Sequence, residues 1–172
     1  RPPRSTLFPY TTLFRSMNVP PADIVLDLPF GRFGIHLIGT QIREMQFLPP
    51  DTPLRAPRED AAQAIVAKIH AWLGAPSHPL QLPLCSRGTP FQRRVWHALT
   101  TIPAGQVKSY GTLAAELDTA ARAVGQACGA NPFPLAIPCH RVVAANGIGG
   151  FAHASDGYLI LAKRWLLANE AP

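Results

Sequence analysis

Cys139, His140 and Arg141 set a thiol, an imidazole and a guanidinium on three successive residues. A free thiol titrates near ~8.5, so little of it is thiolate at neutral pH unless a neighbour withdraws the proton. Cys139 is therefore a candidate nucleophile, with His140 beside it as the group whose charge changes most readily near neutrality. Pro132, Pro134 and Pro138 fall in the residues leading to the thiol. Each fixes its own φ and biases its predecessor toward extended geometry, which predicts a stiff, non-helical presenter. In an extended chain adjacent side chains face opposite ways. Direct contact between Cys139 and His140 is then not expected, and a bridging water is the simpler proton route.

The elements that must hold this segment follow from periodicity. Ile24-Val-Leu-Asp-Leu28, Gly34-Ile-His-Leu-Ile38 and Glu44-Met-Gln-Phe-Leu48 are short apolar or alternating runs separated by Pro, Gly and Thr. They predict strands of a small antiparallel sheet. Residues 60–73 place Ile65, Ile69, Trp72 and Leu73 at helical spacing, with Gly74 as a stop. One helix covering such a sheet makes a compact α+β unit, whose expected job is support. Residues 75–90 read as a Pro-rich connector. Thr89-Pro90 supplies an N-cap and an N1 proline for a helix facing inward through Phe91, Val95, Trp96 and Leu99. Ser109 is expected to cap a short helix carrying Leu113 and Leu117, and Asp118 or Thr119 to cap another over 120–128. The pair, joined by a tight turn, resembles a helix-turn-helix. A last helix is expected over 158–168.

The 172 residues suffice for one sizeable core or two small ones. Residues 1–16 carry three arginines and no acid, and Thr6-Leu-Phe-Pro-Tyr-Thr-Thr-Leu-Phe-Arg-Ser16 is similar to translated sequencing-adaptor sequence. A non-native leader is expected there, with Met17 as the start. Without it the formal charge falls from +6 to +3 and is uneven: residues 17–84 carry five Lys/Arg against six Asp/Glu, and residues 85–172 carry eight against four. The basic half holds the chemistry, which suits a polyanionic partner. No apolar stretch approaches the ~20 residues that span a bilayer, so no membrane partner is expected. Cys85, Cys128 and Cys139 form no CxxC or Cys/His cluster, which argues for reduced thiols in a cytoplasmic setting without a structural metal.

Asn131-Pro132, Ile137-Pro-Cys-His-Arg-Val-Val143, Asn146-Gly147 and Lys163-Arg-Trp-Leu-Leu-Ala-Asn-Glu170 resemble the signature of the O6-alkylguanine-DNA alkyltransferases. So do Gly88-Thr-Pro-Phe-Gln-Arg-Arg-Val-Trp96, Ile102-Pro-Ala-Gly-Gln-Val-Lys-Ser-Tyr-Gly111 and Ala120-Ala-Arg-Ala-Val-Gly125. The blocks are dense and ordered from residue 88 to 170 and looser from 24 to 84.

The resemblance implies an α+β protein with three parts. These are the leader (1–16), an N-terminal sheet with a covering helix (17–83), and a mostly helical, winged-helix-like DNA-binding domain carrying the active cysteine (84–172). It implies direct reversal of DNA damage. The alkyl group of O6-alkylguanine, and of O4-alkylthymine, would pass to Cys139 once per molecule, without cofactor or metal. A monomer acting on double-stranded DNA, with no obligate protein partner, is implied. The lesion base must leave the stack to be reached. Arg122 matches the arginine that fills the gap, and Tyr110 the tyrosine that turns the nucleotide. Ala121, Gln126 and Arg93 fall at further DNA-contact positions. Glu170 matches the carboxylate that orients His140, and Asn131 and Arg141 are implied supports of the site.

Two departures stand out. The turn 116–122 is about two residues shorter than the usual pattern and lacks its glycine and proline. The segment after Gly147 is some four residues longer, so Phe151, His153, Ser155 and Tyr158 compete for the pocket wall, with Phe151, Ser155 and Tyr158 taken as its residues. Two other classes compete with the alkyltransferase. A lesion-binding module or helix-turn-helix regulator without catalysis would not need Cys139. A cysteine hydrolase or acyltransferase would turn over and leaves the basic half without a use.

Overall fold

The computed structural model describes residues 21–171; the expected leader and the start at Met17 lie outside the described residues. Three strands, β1 (Ile24–Leu28), β2 (Gly31–Ile38) and β3 (Gln41–Phe47), form an antiparallel sheet in the order β1-β2-β3, with a register shift between His36 and Leu37. Helix α1 (Asp60–Gly74) buries Ala62, Ile65, Ile69, Trp72 and Leu73, the apolar stripe legible in the sequence.

Neither edge of the sheet is left bare. Val25 and Arg55 exchange both backbone hydrogen bonds on the β1 side. On the β3 side the Pro-rich connector runs alongside: Ile42 N–H donates to Pro83 O at 2.7 Å and Cys85 N–H to Ile42 O at 2.9 Å. Farther along that edge Met45 N–H donates to Pro132 O at 2.8 Å. Pairing an edge removes a template for aggregation; here it also ties the sheet to the loop that precedes Cys139.

The second half is helical. Helix α2 (Pro90–Thr100) starts in a capping box, Gln92 N–H donating to Thr89 Oγ1 and Thr89 N–H to Gln92 Oε1. A two-residue strand β4 (Lys108–Ser109) leads into α3 (Tyr110–Glu116), capped by Ser109 as its sequence predicts. Helix α4 (Ala121–Gly129) follows, then a 3₁₀ turn at Cys139–Arg141, β5 (Val142–Val143) paired parallel to β4, and α5 (Gly157–Asn169). The architecture is the expected α+β arrangement with a helix-turn-helix.

The expected cap of α4 is wrong. Ala120 occupies the N-cap, without a side-chain bond, and neither Asp118 nor Thr119 caps the helix. Both residues are used to end α3 instead. Thr119 N–H donates to Ala114 O, Asp118 N–H to Ala115 O, and Asp118 sits at φ 50. That is a Schellman ending with Asp in the left-handed position usually given to Gly. Asp tolerates this conformation, which lets the short turn close without a glycine.

Two apolar clusters meet across the expected division near residue 84. The first joins the sheet and α1 to Phe133, Leu135, Ala162 and Leu166 from the C-terminal half; the second is built from α2 to α5. Leu135 sits at φ 75, which costs a non-glycine residue about 1–2 kcal/mol. Its side chain is 2% exposed, and burying a leucine contributes about 1.5–3 kcal/mol, so packing against the sheet offsets the strain.

Candidate active site

The approach to Cys139 is folded into turns, contrary to the extended presenter expected from its prolines. Ile137 N–H donates to Phe133 O, and Pro138 adopts φ −79 and ψ 66. Those angles form an inverse γ-turn, closed by Cys139 N–H to Ile137 O at 2.8 Å. A 3₁₀ turn follows at once. Proline favours both the φ of the γ-turn and the absence of a donor there, so the same residues that argue for rigidity bend the chain. Asn131 locks the loop from inside, its Nδ2 donating to Ile137 O at 2.8 Å and its Oδ1 accepting from Phe133 N–H at 3.0 Å.

Cys139 and His140 are both buried but serve different surroundings. The thiol lines a cavity of about 330 Å³ together with Tyr110, Gly125, Cys128, Gly129 and residues 150–155. The imidazole turns to the end of α5, where its Nε2 lies 2.8 Å from Glu170 Oε1. Arg141 clasps the same carboxylate twice, Nε to Oε2 and Nη2 to Oε1 at 2.8 Å each, and its Nη1 donates to Ile102 O at 2.6 Å. A bidentate guanidinium–carboxylate pair of this kind is among the stronger and more directional contacts.

Charge states follow from the environment. Burial alone would raise the Glu170 carboxyl, but the hydrogen bonds and charges of His140 and Arg141 prevail and hold it at about 2. It is a carboxylate and can only accept. His140 Nε2 must then carry the hydrogen. Burial lowers the His140 pKa against the pull of Glu170, so the ring is neutral at pH 7. Its Nδ1 is the basic atom; it is buried and has no hydrogen-bond partner among the described residues. Burial pushes the Cys139 thiol up, opposed by the Asn131 amide, the Lys163 charge and nearby backbone N–H groups. The thiol waits protonated, with groups already placed to favour its ionised form.

Lys163 is the residue whose role the sequence reading missed. It is fully buried and its Nζ donates to Val142 O and Ile148 O at 2.7 Å and to Gly150 O at 2.9 Å. Burial draws its pKa down to about 8. Three carbonyl acceptors match the three donors of an ammonium, so the group stays charged at neutral pH. It also lies 5.9 and 5.8 Å from the ring centroids of Tyr110 and Phe151. One signal was available: Leu159, Ile160, Leu166 and Leu167 flank this lysine at helical spacing, so it interrupts an apolar stripe.

The remaining predicted residues divide by helix face. On α4, Ala121, Arg122 and Gln126 are exposed, Val124 and Ala127 pack inward, and Gly125, Cys128 and Gly129 look into the cavity. Tyr110 opens α3 half-buried on the cavity wall; burial raises its phenol to about 12, and its hydroxyl donates to Gly150 O at 3.3 Å. Arg93 is exposed on α2 beside Arg87 and His97, away from the cavity. Phe151, Ser155 and His153 line the cavity. Tyr158 does not. The chain turns back tightly at 151–154, which places Tyr158 in the first turn of α5, beyond the cavity.

Among the described residues no three His, Cys, Asp or Glu side chains are grouped as a metal would require, and no helix is long and apolar enough to cross a membrane.

Comparison with known proteins places this geometry. The profile of the family described as 6-O-methylguanine DNA methyltransferase, DNA binding domain, matches residues 90–172. The methylated-DNA–protein-cysteine methyltransferase of Salmonella typhimurium is 51% identical over 92 residues, covering 52% of this chain and 51% of the relative. The chain thus spans about half the length of that relative. The protein of the same name from Mycobacterium bovis is 36% identical over 128 residues, covering 71% of this chain and 78% of the relative. Among solved structures, that of Mycobacterium tuberculosis OGT in complex with DNA superposes with a TM-score of 0.70 at 34% identity, over 86% of this chain and 91% of that one.

Proposed function

The chain belongs to the 6-O-methylguanine DNA methyltransferase family, and from that membership we propose that it repairs alkylated DNA by direct, single-turnover transfer to Cys139. The observation that carries the reading is a buried thiol on the wall of a base-sized cavity, backed by a buried His–Glu pair. The substrate is double-stranded DNA containing O6-alkylguanine, with O4-alkylthymine as a second lesion. The protein acts as a monomer.

The lesion nucleotide swings out of the duplex into the cavity. Arg122, exposed on the small-residue face of α4, enters the stack in its place. Tyr110, where α3 begins beside the cavity, turns the nucleotide, and Ala121, Gln126 and Arg93 contact the DNA around it. The thiol proton passes through a water to His140 Nδ1, and the resulting imidazolium is held by the Glu170 carboxylate. Cys139 Sγ then attacks the alkyl carbon. The S–C bond forms as the C–O6 bond breaks, its electron pair stays on the guanine oxygen, and a proton restores neutral guanine. Asn131 and Lys163 favour the thiolate, and Arg141 holds Glu170 in place. The product is a thioether, which none of these side chains can hydrolyse, so each molecule reacts once.

Intact-protein mass spectrometry after mixing the full chain with a duplex containing O6-methylguanine tests this. The expected result is one methyl in place of the Cys139 hydrogen, saturating at one per molecule. Repeated turnover, or no adduct on folded protein that binds the lesion, would overturn it.

A further inference from the structure

The loop joining β5 to α5 carries a tight turn on the cavity wall. Phe151 N–H donates to Ala154 O at 2.8 Å and Ala154 N–H to Phe151 O at 2.9 Å, closing a two-residue turn. Its central residues, Ala152 and His153, have φ of 47 and 64. That is the pattern of a type I′ turn, which usually recruits Asn, Asp or Gly. A strained backbone of this kind persists only where its surroundings over-determine it.

The surroundings do so from three sides. Phe151 is buried edge-on against Phe47 of β3, with ring centroids 5.1 Å apart. Lys163 holds Ile148 O and Gly150 O just before the turn. At the tip, the His153 ring occupies the space a side chain on Gly129 would need: a Cβ there would lie closer than 3.0 Å to three ring atoms. The ring therefore bridges from the clamped loop to the C-terminal end of α4. It lines the cavity and is exposed to solvent, so it forms a wall one ring thick.

We propose that His153 is a specificity-determining residue of this pocket, its ring seated on Gly129 limiting the size of the alkyl group that reaches Cys139. This rests on the alkyl-transfer reading. A methyl group leaves the ring where it is. A flat aromatic substituent must lift it off Gly129, out of a turn clamped at its base, or find room elsewhere in the cavity.

The test compares transfer rates from O6-methylguanine and O6-benzylguanine, each in the same duplex, for the full chain and for His153→Ala. The benzyl-to-methyl ratio should rise about tenfold, the size of effect that a change in pocket volume commonly brings. An unchanged ratio, whatever happens to the separate rates, overturns the proposal. Gly129→Ala supplies an independent arm, because alanine suits a helix and its methyl group must displace the ring. It should shift the ratio in the parent chain and leave it unmoved on the His153→Ala background, since contacting residues couple. Equal shifts in both backgrounds would remove the ring-on-glycine contact. A parent chain that is folded and DNA-bound yet transfers neither group would defeat the alkyl-transfer reading itself, a result distinct from transfer with an unmoved ratio.

Discussion

The Glu170 carboxylate meets His140 Nε2 at 2.8 Å, with 1% of either side chain exposed. Arg141 fills the rest of that carboxylate, so one buried acid at the end of α5 sets the tautomer of the imidazole and neutralises the guanidinium. The catalytic turn and the last helix are thereby joined by charge as well as by packing.

Removing the acid should unbalance both partners. Glu170→Gln leaves the Arg141 charge buried without its counter-ion, which costs about 3–5 kcal/mol in comparable pairs. Thermal or denaturant unfolding should show that loss at pH 7. Because the folded pKa of Glu170 lies below its ordinary value, its contribution is complete above the unfolded carboxylate range and fades as pH falls toward about 2. The difference in stability between parent and variant should therefore shrink as pH falls through that window. A difference that stays constant down to pH 2 would contradict the ionised pair.

The base role proposed for His140 predicts an acid limb on the transfer rate. Burial lowers its pKa below 6.5, so protonation and loss of rate should begin on the acid side of that value. Single-turnover rates across roughly pH 4–8, a range that brackets the titration of an imidazole, check this. A limb centred above 6.5 would argue against a buried neutral ring.

Cys139→Ala should abolish transfer and leave binding to lesion-containing duplex largely intact, because phosphate contacts made by other residues dominate affinity for DNA. Equal loss of transfer and binding, measured by mass spectrometry and by fluorescence anisotropy, would take the cysteine out of its assigned part.

Lys163→Met leaves three buried carbonyls without their donor. Even allowing for the desolvation relieved by losing a buried charge, we expect roughly 3 kcal/mol of lost stability, since each unsatisfied buried acceptor costs about 1–3 kcal/mol. Hydrogen exchange should rise first in the loop 148–151, whose carbonyls the ammonium holds. Unchanged exchange there would mean that the loop is held by Phe151 alone.

Arg122→Ala should slow repair of duplex DNA by at least about tenfold relative to reaction with free O6-benzylguanine, since only the duplex requires a base to leave the stack. Equal slowing of both substrates would remove Arg122 from base flipping.

Much of this protein is written locally. The strands, the apolar stripe of α1, the Thr89 box and the Ser109 cap are set by neighbours two to four residues away, and the sequence shows them. The thiol and the histidine beside it were legible from residue type and adjacency, whereas Arg122 on α4 was singled out only by the family resemblance. What the sequence by itself could not decide involved partners far along the chain. Pro138 reads as part of an extended presenter until Phe133, Leu135 and Pro132 are drawn onto the sheet and the chain bends. Asp118 reads as a helix cap until α3 needs an ending. The role of Lys163 shows only when the Val142 carbonyl of β5 and two carbonyls of the following loop converge on it. The pocket wall depended on where a strained turn could lean, and the room for its ring comes from Gly129, twenty-four residues earlier at the end of α4. Local spacing encodes chemistry and secondary structure; burial, charge balance and turn direction are properties of the packed whole, and only the tertiary structure decides them.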